Sequence, residues 1–298
     1  PIMLNNKVYG VAVLSFSLIN NNNDLALSSI NLLDFFIVLI FIILILSLAI
    51  LFLTYRTNKK KVRNLFYKSK IKQIDISELD KIFDEKLISK NLKGPKEETI
   101  IKSFIISPQN KIVGMTSDYE AWIISVLSKK SNNIFEFGTC SGKTTYLMAL
   151  NSNKDTKITS LTLGPDQVKN LSKKNIDNKI SFRNILNESI YEKFLFSGTD
   201  VENKINIIFE DSTIFDESKY INKFDLIFID GGHTYSVVKN DTEKSFKMLN
   251  KNGIILWHDY VPGKQSAKNV VNYLNEISKE KNILNIRNTS LCVFRNSD

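Results

Sequence analysis

The stretch FEFGTCSGKTT, residues 135–145, joins an apolar run to a glycine-bearing turn and then to a segment that can start a helix. A phosphate-binding loop needs four residues between its two glycines, followed by Lys and Ser or Thr. Gly138 and Gly142 enclose only three residues, and Phe137 stands where that loop needs its first glycine. The stretch therefore does not fit a phosphate-binding loop, and we interpret its Lys-Thr pair as the first turn of a helix.

On both sides of this stretch, short apolar runs alternate with helical patterns. Runs of this kind separated by helices of about 10 to 15 residues predict a parallel sheet that is covered on both faces. We predict a doubly wound α/β fold, Rossmann-like, with a mostly parallel seven-stranded sheet. The last two strands, separated only by residues 288–290, are predicted to form an antiparallel hairpin at the edge. The predicted strands are 133–137, 157–163, 205–210, 224–230, 253–257, 283–287 and 291–295.

An apolar run precedes this domain. Residues 35–53 are nineteen residues of which only Ser47 is polar. At about 1.5 Å per residue, a helix of this length spans roughly the hydrocarbon core of a bilayer. We predict a transmembrane helix over residues 35–55. A buried core helix is the alternative, and a signal peptide would have a shorter apolar core.

A basic cluster follows the apolar run. Eight Lys and Arg residues with no acid among them lie between Arg56 and Lys72, and without them the formal net charge of +9 falls to about +1. The basicity is therefore local, and it does not indicate nucleic acid as a partner. The positive-inside rule places the residues after 56 in the cytoplasm. We expect a single-pass membrane protein whose folded domain faces the cytoplasm.

Composition divides the chain into four parts. They are an N-terminal segment (1–34), the transmembrane helix (35–55), a basic juxtamembrane flank and linker (56–97), and a folded domain (98–298). Because Pro1 precedes the first methionine, the chain is open to being a fragment, and the role of residues 1–30 is not fixed. The two cysteines are too few for a disulfide framework, which indicates a reducing compartment.

The glycine turn carries a family resemblance. Glu136 is followed by Gly138 and Gly142, which resembles the E/D-x-G-x-x-x-G loop of Rossmann-like, class I S-adenosylmethionine-dependent methyltransferases. Glycines let the backbone lie against the cofactor, beside a helix N-terminus that faces the methionine carboxylate. The resemblance implies S-adenosylmethionine as cofactor, contacted by Glu136, Gly138, Thr139 and Gly142.

Two later strands narrow the resemblance. They read FDLIFIDGGHTY (224–235) and GIILWHDY (253–260). These stretches resemble the metal-dependent O-methyltransferase branch, in which an acid ends the fourth strand, a base lies three residues later, and a pair of metal ligands ends the fifth. The ends of adjacent parallel strands, about 4.8 Å apart, can converge on one ion. The matching residues, which include both histidines of the chain, are Asp230, His233, His258 and Asp259.

The resemblance implies a mechanism. Asp230, His258 and Asp259 would hold a divalent metal ion that lowers the pKa of a substrate hydroxyl. His233 would take the hydroxyl proton, with Asp230 also counted as catalytic and as a cofactor contact. His258 stands where many relatives have a carboxylate. We expect Mg or Mn, and an imidazole ligand also suits Fe or Zn.

Other cofactor positions fit less evenly. Asp211 and Ser212 follow the third strand, where the family often carries an acid near the adenine. Thr162 stands where the family usually carries the acid that grips the ribose hydroxyls. Either Thr162 makes one weaker hydrogen bond there or Asp166 reaches in, so the affinity for the cofactor is open.

The resemblance covers residues from about 112 to 296. It predicts a membrane-anchored methyltransferase that methylates a hydroxyl, and by analogy alone a saccharide or lipid-linked acceptor. One alternative is a non-catalytic cofactor-binding or scaffold module of the same fold, for which Thr162 argues. Another is a metal-dependent hydroxylase-like relative. The sequence leaves formation of a homo-oligomer open.

Overall fold

The computed structural model describes residues 3–4, 7–8, 32–66, 69–106, 116–169 and 185–296. By its internal contacts the chain divides into two compact units, residues 1–61 and 62–298. Most of the predicted N-terminal segment, 1–34, lies outside the described residues.

The first unit contains a long apolar helix. Strands β1 (Met3–Leu4) and β2 (Lys7–Val8) pair antiparallel, and helix α1 (Leu32–Phe66) begins in this unit. Within α1, the 21 residues Phe36–Arg56 have a mean hydropathy of 3.5 and are not buried. The predicted apolar helix is confirmed. Its length and composition fit a single-pass membrane anchor, and a signal sequence passes the same test.

The second unit is built on an eight-stranded sheet. Its strands and those of a separate hairpin are β3 (Gln73–Ile74), β4 (Lys86–Ser89), β5 (Leu92–Gly94), β6 (Asn133–Phe137), β7 (Lys157–Thr162), β8 (Ile205–Phe209), β9 (Phe224–Ile229), β10 (Leu249–Trp257), β11 (Leu284–Ile286) and β12 (Cys292–Arg295). The strand order in the sheet is β3-β11-β12-β10-β9-β6-β7-β8. Strands β8, β7, β6, β9 and β10 run parallel, and β12 is antiparallel to both β10 and β11.

Helices cover both faces of this sheet. They are α2 (Ile76–Leu79), α3 (Asp118–Ser128), α4 (Lys143–Asn151), α5 (Pro165–Lys169), α6 (Tyr235–Met248) and α7 (Lys268–Ile277). Successive strand residues point to opposite faces. In β6, Ile134 therefore packs in the core with α3 and α4, whereas Phe135 packs in the core with α6 and α7. Burial on both faces explains why the central strands read as nearly continuous apolar runs.

The predicted fold class is confirmed, including the parallel core and the antiparallel C-terminal hairpin. The structure adds one edge strand, β3, which pairs parallel with β11. This strand lies within the predicted linker, 56–97. Phe83 of the same segment is buried, and its ring meets Trp122 of α3 edge-on at a centroid distance of 5.2 Å. The domain boundary at residue 98 stays a prediction, and these contacts lead us to propose that the folded domain begins near residue 69.

The topology fixes where a ligand can bind. Strand β6 lies between β7 and β9, so the chain winds away from β6 in both directions. In open α/β sheets, ligands bind beyond the carboxyl ends of the strands at this switch point. The ends of β6, β9 and β10 are in register, with Phe137 opposite Ile229 and Ile229 opposite Trp257. The residues that follow these three strands are therefore neighbours.

Candidate active site

The turn after β6 brings two strand ends into close contact. Gly138 has φ +96°, and a Cβ built on it would lie 2.4 Å from the backbone oxygen of Asp230. Only glycine fits both the left-handed backbone and this approach. Gly142, at φ +79°, precedes the first turn of α4. The turn thereby sets the β6 and β9 loops against each other.

A cavity of about 500 Å³ opens above this contact. Its volume lies in the range of small-molecule and cofactor sites. Predicted cofactor residues from four strand ends line it together: Gly138, Thr162, Asp211, Ser212 and Asp230. The structure thus places in one cavity residues that are up to ninety-two positions apart in the sequence.

Glu136 is placed differently from the prediction. It is fully buried below the cavity and is not among the residues that line it. Its Oε2 accepts hydrogen bonds from the hydroxyls of Thr145 and Ser160, both at 2.5 Å. Burial raises the pKa of Glu136 to about 7. The reason is strand alternation: Glu136 shares the face of Ile134, which packs under α3 and α4.

Thr139 extends this buried network. Its hydroxyl lies 2.7 Å from that of Ser160, and because Ser160 donates to Glu136, Thr139 is the donor of this pair. Thr139 lines a second, neighbouring cavity instead of the first. The network holds the glycine turn to strands β6 and β7.

The loop after β8 is held by side chains from α6. Lys244 is buried and donates to the carbonyls of Ser212 and Phe215, both at 2.6 Å. Asn240 also donates to the Ser212 carbonyl, at 2.9 Å. Asp211 closes its own turn by accepting from the backbone and hydroxyl of Thr213, both at 2.8 Å. These bonds fix the predicted adenine-side residues at the cavity wall.

Two acids that line the cavity, the buried Asp241 and the half-buried Glu188, were missed by sequence reasoning. Burial raises the pKa of Asp241, on α6, to about 7. Burial also raises the pKa of Glu188 to about 7, and the charges of Asp230 and Asp259 add to the rise against the opposing pull of His233. Neither acid follows a strand, so no motif marks it. Asp166, the alternative ribose contact, is exposed and is not among the lining residues.

The predicted catalytic residues converge next to the cavity. One ligand atom each from Asp230, His233 and Asp259 lies within 4.8 Å of the other two. His233 Nε2 is 2.5 Å from Asp259 Oδ2. Burial lowers the pKa of His233, but its hydrogen bond and charge interaction with Asp259 outweigh this and raise it. Asp259 has φ +61°, a conformation that is uncommon outside glycine and frequent at functional sites.

His258 lies among three carboxylates. Its Nδ1 is 3.0 Å from Asp230 Oδ1 and 3.6 Å from Asp259 Oδ2, and its Nε2 is 3.6 Å from Glu120 Oε2. Neither ring nitrogen has an aligned hydrogen-bond partner among the described residues. Although burial lowers the pKa of His258, the charge of Asp230 and contacts with the other two acids raise it far more.

These residues fit a divalent cation. The cluster brings together two half-buried aspartates, and a nearby cation stabilises carboxylates that are partly removed from water. Its imidazole and carboxylate donors suit first-row metals and magnesium. The structure groups His233 with the two aspartates, whereas the predicted set contains His258 with them. Asp230 and Asp259 belong to both sets.

A second cavity joins the cluster to the first. Its volume is about 280 Å³, and it shares Gly138, Cys140, Glu188 and Asp230 with the larger cavity. The four predicted catalytic and metal residues all border one or both of these cavities. Cys140 has φ +48°, and burial raises the pKa of its thiol to about 12, so it stays protonated near neutral pH.

An open groove of about 1150 Å³ leads away from His258 and Asp259. Amide and hydroxyl side chains make up much of its wall, with two lysines and an apolar rim. Lys264 reaches within 3.5 Å of Asp259 Oδ1, and Lys143 donates to the carbonyl of Thr116 at 3.2 Å. The amide and hydroxyl residues of the wall are Ser69, Gln73, Thr116, Ser117, Asn285, Asn288, Thr289 and Ser290.

Comparison with known proteins supports the predicted resemblance. Residues 135–260 match the sequence family described as "Methyltransferase domain". The match contains the glycine turn and all four residues Asp230, His233, His258 and Asp259. The predicted resemblance to class I methyltransferases is thereby confirmed. No curated protein is significantly similar to the chain.

Solved structures of methyltransferases resemble part of this chain. The SAH-bound methyltransferase PaMTH1 of Podospora anserina is 15% identical, with a TM-score of 0.44 and coverage of 62% of this chain and 80% of that one. A caffeoyl-CoA O-methyltransferase-like protein of Staphylococcus aureus is 18% identical, with a TM-score of 0.42 and coverage of 61% and 85%. The O-methyltransferase of Bacillus cereus in complex with SAH is 15% identical, with a TM-score of 0.40 and coverage of 63% and 84%.

Proposed function

We propose that the methyltransferase domain of this chain transfers a methyl group from S-adenosylmethionine to a hydroxyl group, with the help of a divalent metal ion. One observation carries the proposal. Predicted cofactor residues line the first cavity, and the His and Asp cluster lies beside it. The two sites meet at Asp230, which belongs to the cluster and lines both cavities. A methyl donor in the cavity and a hydroxyl at the cluster would therefore be neighbours.

The cavity of about 500 Å³, which Gly138, Thr162 and Asp211 line, is the proposed cofactor site. When bound, S-adenosylmethionine supplies an electrophilic methyl group on a sulfonium. Gly138 would let the backbone approach the cofactor, and Gly142 would start the helix whose N-terminus faces the carboxylate. Thr162 would contact the ribose, and Asp211 and Ser212 would contact the adenosine end. We leave Glu136 out of this set, because its side chain is engaged below the cavity.

The cluster is the proposed metal site. Asp230 and Asp259 would hold the ion, with either His258, as the family resemblance implies, or His233, as the atomic distances favour, as the imidazole ligand. A bound divalent ion supplies Lewis acidity, which lowers the pKa of a coordinated hydroxyl. Mg and Mn are our first candidates, and the imidazole also suits Fe or Zn.

His233 is the proposed base. Its hydrogen bond to Asp259 fixes the orientation of the ring and stabilises the imidazolium that forms on proton uptake. If Asp230 and Asp259 held a divalent ion, less of their negative charge would act on His233, and the raised pKa of His233 would fall. The remaining ring nitrogen, Nδ1, would then take the proton of the acceptor hydroxyl.

A saccharide or lipid-linked saccharide is the proposed acceptor. The open groove beside His258 and Asp259 supports this, because amide and hydroxyl side chains match the hydroxyl groups of sugars. Phe104, Ile105 and Ile106 give the groove an apolar rim, and Ile105 is 96% exposed. The apolar stretch of α1 and its basic flank support a single-pass membrane anchor with the enzyme on the cytoplasmic side.

A non-catalytic cofactor-binding module of this fold is the second candidate, because Thr162 offers a hydroxyl where the family usually has an acid. Both candidates require cofactor binding, which calorimetry of the purified full chain in detergent with S-adenosylmethionine tests. Absence of binding at millimolar cofactor would exclude the enzyme. Incubation with cofactor, Mn²⁺ and glycolipid or oligosaccharide acceptors should then add the mass of one CH₂ group to the acceptor. An added oxygen atom instead would indicate the hydroxylase-like alternative.

The variant His233→Ala tests the assigned base. General-base catalysis contributes about 10²- to 10⁴-fold, so turnover should fall by that factor while cofactor affinity stays unchanged. His258→Ala is the matched comparison, because it removes the other imidazole. If His233→Ala abolishes cofactor binding as well, His233 is structural. If only His233→Ala abolishes metal binding, His233 is the metal ligand and not the base.

A further inference from the structure

A small β-hairpin projects its apolar side chains into solvent. Strands β4 and β5 form a two-stranded sheet of their own, and we call residues 85–94 the hairpin surface. Leu87 is 66% exposed, Ile88 61% and Leu92 54%. None of the three belongs to either hydrophobic core of the described chain. An exposed apolar cluster at the tip of a hairpin indicates an interaction site more than a fold requirement.

The charges on this surface have one dominant sign. Lys86, Lys90 and Lys93 are exposed and Glu85 is the single acid of residues 85–94. No ion pair within the described part of the chain engages these three lysines, although the neighbouring Lys96 pairs with Asp84 at 3.9 Å. Apolar and basic residues also pair across the hairpin, since Leu87 lies opposite Lys93. The surface therefore offers apolar side chains surrounded by free ammonium groups.

The base of the hairpin is fixed to the domain. Asp80 forms ion pairs with Lys130 at 2.9 Å and Arg295 at 3.4 Å, and it accepts a hydrogen bond from the backbone of Ile82. Phe83 is buried against Trp122. Because the base is held by these contacts, the hairpin surface is presented as part of the fold and not as a loose loop.

We propose that the hairpin surface docks onto an anionic lipid bilayer. Apolar side chains with interspersed lysines match the boundary between acyl chains and negatively charged headgroups. The proposed anchor would keep the hairpin surface near a bilayer, because only 29 residues separate the apolar stretch that ends at Arg56 from Lys86. The inference rests on the proposed membrane anchor and does not depend on methyl transfer. Docking would give the domain a second membrane contact, in addition to the helix.

A site-specific fluorescent label tests the proposal in the full chain. Asn91, in the hairpin turn, is replaced by Cys in a Cys140→Ser background, where the remaining Cys292 is fully buried. Ser47→Cys reports on the anchor, and Asn153→Cys, at an exposed turn of the domain, is the negative control. The proteins carry an environment-sensitive dye and are reconstituted in vesicles of phosphatidylcholine with or without phosphatidylserine.

The expected result is a blue-shifted emission at Asn91 with phosphatidylserine, quenching there by spin-labelled lipid, and no shift at Asn153. A shift at Ser47 with none at Asn91 would overturn docking while leaving the anchor intact. No shift at either Ser47 or Asn91 would overturn both the membrane anchor and the docking of the hairpin surface. An equal shift at Asn91 without phosphatidylserine, or a shift at Asn153 as well, would also overturn the proposal, because lipid charge or position would then not matter.

Two variants separate the contributions. Replacing Lys86, Lys90 and Lys93 by Gln should weaken docking roughly fivefold per lysine, because each basic residue near an anionic surface contributes about a factor of five. Replacing Leu87, Ile88 and Leu92 by Ser should abolish the quenching by spin-labelled lipid. Unchanged emission and quenching in both variants would show that the hairpin surface is not the contact.

Discussion

Gly138→Ala is the sharpest test of how the site is assembled. The methyl group would be placed 2.4 Å from the Asp230 carbonyl oxygen and 2.7 Å from the Gly231 Cα, which are backbone atoms that cannot rotate away. The turn after β6 and the loop after β9 would have to separate. Because these two loops border the proposed cofactor cavity and the metal cluster, the substitution should disturb both.

Gly198→Ala provides a matched control for the magnitude. Gly198 also has a left-handed backbone, at φ +77°, but a Cβ there would meet no atom within 4 Å. Both variants carry the cost of about 1–2 kcal/mol for a left-handed non-glycine residue. Gly138→Ala adds overpacking of about 1–3 kcal/mol. At about 2–4 °C per kcal/mol for a domain of this size, Gly138→Ala should melt roughly 2–12 °C below the control.

The assay is thermal unfolding of the full chain in detergent, with S-adenosylhomocysteine binding measured by calorimetry on the same samples. We expect Gly138→Ala to lower both the melting temperature and the affinity, and Gly198→Ala to lower the melting temperature alone. Equal melting temperatures with equal affinities would refute the close approach of the two loops.

Two further predictions concern the charges of the site. Asp259→Asn should abolish the stabilisation by Mn²⁺, which at a hundred times Kd amounts to about 2.7 kcal/mol, and asparagine tolerates the left-handed backbone at this position. The control Asp155→Asn, in an exposed turn, should retain the stabilisation. A persisting metal response in Asp259→Asn would contradict the assigned site. Glu136→Gln should flatten the pH dependence of stability, because the folded state keeps a proton up to about pH 7 that the unfolded state releases near its ordinary pKa of 4.5. The contribution of Glu136 is thus present below about pH 4.5 and lost as the pH rises through 7, by about 3 kcal/mol at 1.36 kcal/mol per pK unit. Urea unfolding from pH 4.5 to 8 checks this, with exposed Glu98→Gln as control, and parallel curves for wild type and Glu136→Gln would contradict it.

The sequence predicted the strands from the spacing of apolar residues, and the site from the residues that follow those strands. The apolar runs predicted the seven strands. The residues at the ends of two of these strands predicted the group Asp230, His233, His258 and Asp259, but with His258 and not His233 beside the two aspartates as metal ligand. The eighth strand, β3, has only two residues and exists through its pairing with β11, so no local pattern marks it. Glu188 and Asp241 reach the cavity from outside the strand ends, and their raised pKa values come from burial and from neighbouring charges that exist only in the folded chain.

Glu136 shows why a motif position and a contact are different predictions. The glycine spacing placed the turn correctly, but the alternation of β6 turns the Glu136 side chain toward α4, where Thr145 and Ser160 donate to it. A carboxyl group at this position can hold the turn without touching a ligand. The role that the family resemblance gives to this acid is therefore better tested by stability than by cofactor affinity.

The segment that follows α1 is built into the support of the candidate metal site. Tyr260, directly after Asp259, is buried, and its hydroxyl donates to Asn275 at 2.8 Å and lies 3.2 Å from the hydroxyl of Ser69. The backbone N–H of Tyr260 donates to the Ser290 carbonyl at 2.9 Å, and Ser290 in turn donates to Glu120 beside His258. The left-handed backbone of Asp259 needs such neighbours to persist, because strained residues are held by the structure around them. The residues just after the proposed anchor therefore help to fix the geometry of the site, and this is a physical reason for treating residues 69–97 as part of the enzyme and not as a passive tether.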